Sequence, residues 1–156
     1  RNLNIGTAGA PVVVTTSNII DTMSKVHQVL DEQCAPREGR YMVVPPSWLT
    51  VLRASDLKSA LVTGLCWSPM VNGRLPETVM GFNILESTNL RMDAAGNYHI
   101  ISGVKSATAF ASQIDKTRVI EDVDDWATYY QGLAVYGFKT VYPDALVDVY
   151  AKVSVV

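Results

Sequence analysis

Apolar positions recur along the chain with two periods, and the change from one to the other marks out its elements. Ile19, Ile20, Met23, Val26 and Leu30 fall at helical spacing, with His27 on the flank, and predict a helix over 17–33. Thr16, Ser17 and Asn18 bring capping oxygens just before it. With Asn18 as N-cap, Asp21 sits in the first turn, where its charge favours the positive helix end. Pro36 is expected to end the helix. Residues 41–44 (YMVV) form an unbroken apolar run between Gly39 and the Pro45–Pro46 pair, which fits a buried strand. Pro45, Pro46 and Ser47 then open a second helix carrying Trp48, Leu49, Val51 and Leu52.

A loop with turn residues Ser68, Pro69, Asn72, Gly73 and Pro76 comes next. Residues 79–86 predict one strand, with Gly81 as a weak point or bulge. After a turn at 95–97, residues 98–102 predict another strand. The Ala-rich stretch 106–112 predicts a short helix. Over 113–121, Ile114, Lys116, Arg118 and Ile120 alternate with Asp115, Thr117 and Val119, and neither face is purely apolar. The stretch 129–142 is long, aromatic and β-branched until Pro143 breaks it. Alternation returns over 146–155, with Val147, Val149, Ala151, Val153 and Val155 on one face. Residues 1–15, small and β-branched, read as an extended lead-in. The sum is an α+β chain of about six strands and two to three helices, a mixed sheet flanked by helices. Without an internal repeat or low-complexity linker, 1–156 is taken as a single domain.

Composition narrows the function classes. The 156 residues are 48% apolar and 18% charged, a globular balance. The longest apolar run, 8–14, is interrupted by Pro11 and far too short to span a bilayer. No basic segment followed by a long apolar one suggests a signal peptide. Arg1 stands where a Met would open a complete protein, so a fragment or processed chain is expected. A net charge of −2 argues against a primary nucleic-acid binder, which needs a basic stripe for counterion release. Lys105, Lys116, Arg118 and Lys139 are dispersed and read as solvated faces. Cys34 and Cys66 form no disulfide framework and are expected to be reduced thiols, as in a cytoplasm.

Candidate chemistry is sparse. Cys34 lies two turns beyond His27, but neither has the close second ligand that a zinc site needs, and His99 and Cys66 fall in other elements. Glu121, Asp122, Asp124 and Asp125 lack the Gly-punctuated loop that wraps calcium, and read as a solvated turn or as acids facing a basic neighbour chain. Asp31 and Glu32 could do acid–base work only if buried, and a helix end favours exposure. There is no G-x-S-x-G elbow, no phosphate-binding Gly-rich loop and no G-x-G-x-x-G. The expectation is a non-enzymatic protein with no catalytic residues, no metal and no cofactor.

Three stretches, taken in order, resemble one family. They are 30–46 (LDEQCAPREGRYMVVPP), 73–90 (GRLPETVMGFNILESTNL) and 113–143 (QIDKTRVIEDVDDWATYYQGLAVYGFKTVYP). The first has a helix end, a Pro-to-Gly-Arg turn and a buried strand running into prolines. The second resembles a glycine–aromatic strand followed by Ser, Asn and Leu. In the third, an alternating strand, an acidic turn and a long strand close the pattern. Order and coverage are similar to the C-terminal half of tailed-phage major capsid proteins, with the Hong Kong 97-type fold.

That resemblance implies the axial-domain core plus returning strands of the peripheral domain. It gives Gly39 and Arg40 the turn into the sheet, Gly39 at positive φ, and gives Gly81 and Gly137 bulges or close strand approach. Some family members join subunits through an Asn and a Lys assisted by a Glu. Residues 126–142 contain neither Asn nor Glu, which speaks against that reaction here.

The implied function is an icosahedral phage head shell, self-assembled around the genome from pentamers and hexamers. Scaffolding, portal or decoration proteins would be further partners, with DNA met only by proximity and no membrane. The implied location is the virion, with assembly in the host cytoplasm. The segment 56–76 is the expected contact loop, with Leu61 and Leu65 in the core and Trp67 and Met70 at the interface. Two alternatives are an encapsulin-like nanocompartment shell and a small bacterial α+β hydrolase or ligand-binding domain.

Overall fold

The computed structural model describes residues 4–55 and 78–154, which fall into two units. Unit one is Arg1–Ala107 with Tyr142–Val156, and unit two is Thr108–Val141.

Unit one is built on a seven-stranded mixed sheet. Its strands are β1 (Asn4–Ile5), β2 (Val12–Val14), β3 (Arg40–Val44), β4 (Thr78–Val79), β5 (Phe82–Glu86), β6 (Tyr98–Val104) and β9 (Leu146–Val153). They run in the order β1-β9-β6-β3-β5-β4, and β2 also pairs with β9. Both lead-in strands lie parallel to β9. β6 is antiparallel to β9 and to β3, and β5 is parallel to β3.

Register explains which residues are buried. Met42 faces Ser102 across the sheet, Ser102 faces Val147, and Ile100 faces Val149, so these share one face. Two helices cover that face, α1 (Ile19–Glu32) and α2 (Pro46–Ala54). From α1 come Ile19, Met23, Val26 and Leu30, and from α2 come Trp48, Leu49, Val51 and Leu52, all buried in one cluster with the sheet. The alternation in β3 follows, with Arg40, Met42 and Val44 buried while Tyr41 and Val43 are partly exposed. No helix among the described residues is long and apolar enough to cross a membrane.

Three local readings change. α1 does have Asn18 at its N-cap position, but the Asn18 side chain makes no cap bond. Its amide instead ties the preceding turn, accepting from the Thr15 N–H and donating to the Val13 carbonyl, both at 2.7 Å. The helix ends by Gln33 as the spacing predicts, but a cap and not Pro36 closes it. Cys34 adopts φ +57, its N–H reaches the Asp31 carbonyl, and the Ala35 N–H reaches Leu30. That pair of bonds is a Schellman cap with Cys where Gly is usual. Residues 79–86 are not one bulged strand but part of a tight hairpin. Met80 and Gly81, at φ +49 and +80, link β4 to β5 as the two-residue, positive-φ turn that right-twisted strands favour.

Unit two is a long antiparallel hairpin of β7 (Thr108–Glu121) and β8 (Thr128–Thr140). The helix expected over 106–112 is absent: a 3-10 turn at Lys105–Ala107 precedes β7, which begins at Thr108. Here pairing with Phe138, Lys139 and Thr140 outweighs the helical preference of the alanines. Gly137 faces Ala111 in regular register with open space above it, so neither a bulge nor a close approach occurs there. The bulge lies instead between Ile114 and Thr117, where two residues of β7 oppose one of β8.

Candidate functional site

The expected contact residues Trp67 and Met70, like Leu61, Leu65, Cys66 and the whole segment 56–76, lie outside the described residues. What the described residues offer is a buried polar hub, a polar cavity and the exposed hairpin.

The hub is Arg40, 1% exposed on the covered face of β3. Gly39 just before it has φ +70, the positive φ expected of it. The Arg40 guanidinium donates to the Pro36 and Ala35 carbonyls, both at 2.9 Å, and to Asp31 Oδ1 at 2.6 Å. It also meets His27 Nδ1 at 2.9 Å. His27 Nε2 in turn bonds the Met80 carbonyl, and its ring packs on Phe82 with centroids 4.0 Å apart. Because arginine only donates and a carbonyl only accepts, His27 must accept at Nδ1 and carry its proton on Nε2. Arg40 holds the Asp31 carboxyl below its ordinary value, first by its hydrogen bond and then by its charge. Asp31 is thus a structural partner and not a spare acid. Cys34 is an exposed thiol.

On the sheet face away from the helices, His99, Asp148 and Tyr150 line a cavity of about 380 Å³, closed on one side by residues of 4–8. His99 Nδ1 bonds Asp148 Oδ2 at 2.8 Å. The Tyr150 hydroxyl donates to Asp93 Oδ2 at 2.9 Å and accepts from Asn97 Nδ2 at 3.0 Å. That hydroxyl, helped by the Ala94 N–H, holds the Asp93 carboxyl below the usual range. No Ser or Cys nucleophile lines this cavity. Among the described residues no three His, Cys, Asp or Glu side chains converge as a metal site.

The hairpin has no core of its own. Register places Phe110, Val119, Tyr130, Tyr136 and Phe138 on one face, and all five are exposed. Phe110 and Tyr136 lie diagonally on it, with centroids 6.4 Å apart. The opposite face carries Lys139, Leu133, Val135 and Tyr129, and there Arg118 bonds Gln131 at 2.8 Å. At the tip, Val123 and Trp126 are fully exposed beside Glu121, Asp122 and Asp125. Sequence reasoning missed the aromatic face because Tyr129, Leu133 and Val135 make the other face of β8 apolar too, and the bulge shifts the period between Phe110 and Val119 in β7.

Comparison with known proteins rests on structure. No protein-family model matches the chain, and no curated protein matches it in sequence. A structure from Mycobacterium phage Che8 is similar at TM-score 0.74 and 24% identity, over 94% of this chain and 53% of that one. The capsid structure of cyanophage P-SCSP1u follows at TM-score 0.64 and 18% identity, over 92% and 54%. The holo encapsulin complex of Synechococcus elongatus reaches TM-score 0.53 at 12% identity, over 97% and 54%. The chain spans about half the length of each of these proteins. With its mixed sheet, its two helices on one face and its long hairpin, this chain has the Hong Kong 97-type fold of phage capsid proteins.

Proposed function

We propose that the chain is part of a shell-building subunit, the C-terminal half of a phage major capsid protein that closes an icosahedral head around the genome. The observation that carries this reading is the uncovered aromatic face of the hairpin. An isolated two-stranded ribbon is marginal in water, and one with five large apolar side chains on one face needs a cover. A shell supplies one, because each subunit meets many copies and modest contacts add up. The residues 1–156 would act as one fragment of the subunit, with 56–76, including Trp67 and Met70, as a second contact. Pentamers and hexamers of the same chain, with scaffolding, portal or decoration proteins, would be the partners, in the virion and in the host cytoplasm during assembly.

Greater similarity to the phage structures than to the encapsulin, TM-scores of 0.74 and 0.64 against 0.53, supports a phage head over a nanocompartment. The fold favours a structural role over an enzyme. Expression of the complete reading frame, followed by electron microscopy, is the test. Closed shells are expected; a monomer with reproducible turnover would overturn the reading.

A further inference from the structure

We propose that the uncovered face of the hairpin is closed by the same face of a second copy, the two ribbons stacked antiparallel with Phe138 of each over Gly132 of the other. This rests on the shell reading above and says which surface of a neighbouring copy does the covering. From stem to tip, the face reads Thr140, Phe138, Tyr136, Ala134, Gly132 and Tyr130 along β8, all exposed. Bulk thus comes in blocks. Two rings are followed by two small residues, and a third ring stands nearer the tip. An antiparallel stack about a two-fold axis between Tyr136 and Ala134 sets Phe138 over Gly132, Tyr136 over Ala134 and Tyr130 over Thr140. Pairing within the hairpin carries β7 along, so Phe110 falls over Thr117 and Val119 over Thr108. Large side chains meet smaller ones at each of these positions, which is how two sheet faces interdigitate. Gly132 has room for a ring, because beyond its chain neighbours nothing lies within 4 Å of where its Cβ would sit.

A parallel stack fails on size and on charge. It brings Phe138 over Phe110 and Gly132 over Thr117, ring on ring beside a gap. It also brings together two tips that each hold Glu121, Asp122, Asp124 and Asp125. Antiparallel stacking keeps those tips about 45 Å apart, several Debye lengths. Each tip then lies near the stem of the other copy, where Lys139 is exposed. Between stem and tip, the β8 side of the face has no charge to bury. By strand spacing the contact covers about 400 Å² a side, against about 800 Å² in a stable complex. A pair of copies is therefore weak in solution and counts where many copies meet.

Single-cysteine variants of the full chain test the register, in a background of Cys34→Ser and Cys66→Ser. A short bismaleimide is the cross-linker, since stacked sheets lie about 10 Å apart, beyond disulfide reach. Thr140→Cys mixed with Tyr130→Cys should give a mixed dimer at high protein concentration. Thr140→Cys mixed with Thr108→Cys, which are neighbours only in a parallel stack, should give none. Gly132→Leu in both partners fills the recess and should abolish the first product, with the circular dichroism spectrum unchanged. A product from the second mixture, or equal yields from both, would overturn the proposal. No product from either would overturn it too and give the face to another cover. Electron microscopy of the complete reading frame separates this pairing from the shell reading. Shells without the first product strike the pairing alone, and the product without shells strikes the shell reading alone.

Discussion

Removing the Arg40 side chain leaves two backbone carbonyls, one imidazole nitrogen and one carboxylate oxygen without their donor. Arg40→Ala should therefore cost about 3 kcal/mol, the scale of breaking a buried charged network. Arg40→Lys should recover little, because one ammonium cannot present the planar fork that reaches all four acceptors. Urea unfolding of the three proteins checks both expectations. The same hub sets an acid limit. Arg40 lowers the Asp31 carboxyl below its ordinary 3.8, so the native state binds that proton less readily than the unfolded chain. The resulting stability is present above pH 3.8 and lost as pH falls through the lower folded value. The stability difference between wild type and Asp31→Asn should thus shrink below that pH, measured by urea midpoints. A gap that stays constant into strong acid would assign Asp31 no such role.

Elements whose burial follows a simple period were legible in the sequence. The α1 stripe, the four apolar residues of α2, and the alternation of β9 through Val147, Val149 and Ala151 depend on local spacing alone. The misread elements depend on partners far away in the chain or on unusual turn chemistry. Met80–Gly81 lacks the Asn or Asp that marks a two-residue turn, and its Met80 carbonyl is held by His27, which no local pattern could show. Residues 108–112 became strand because their partner lies at the far end of β8. The polar cavity was equally hidden, since it joins 4–8, 91–99 and 148–150. Cys34 offers a direct check on turn chemistry. As a non-glycine residue at φ +57 in the helix cap it carries strain, so Cys34→Gly should stabilise by about 1 kcal/mol. A raised urea midpoint with an unchanged slope is the expected result. The hairpin should behave differently from the sheet. Amides of β7 and β8, on a ribbon with both faces exposed, should exchange faster than those of β6 and β9.

At the scale of the whole molecule, the proposed shell role turns on which surfaces would carry assembly. The chain spans about half the length of the proteins it is similar to, and under the proposed reading it would hold only part of the contact area. Interfaces below about 1,200 Å² are typically weak, and a fragment limited to these should be a monomer or form small rings at high concentration. Two proposals compete for those rings, contact through 56–76 with Trp67 and contact through the aromatic face of the hairpin. They can be separated. Trp67→Glu should reduce ring formation if that segment supplies the contacts, and Phe138→Glu should do so if the hairpin does. Phe138 is exposed on a face with no cover of its own, so a charge there should leave unit one folded. Light scattering across a concentration series reads both variants against wild type. If the proposed contacts are right, at least one variant shifts the series toward monomer. Rings unaffected by either change would place assembly elsewhere. Closed shells from this chain alone would mean that half of the fold already holds enough interface to set the curvature, and that the covering of the hairpin comes from its own copies.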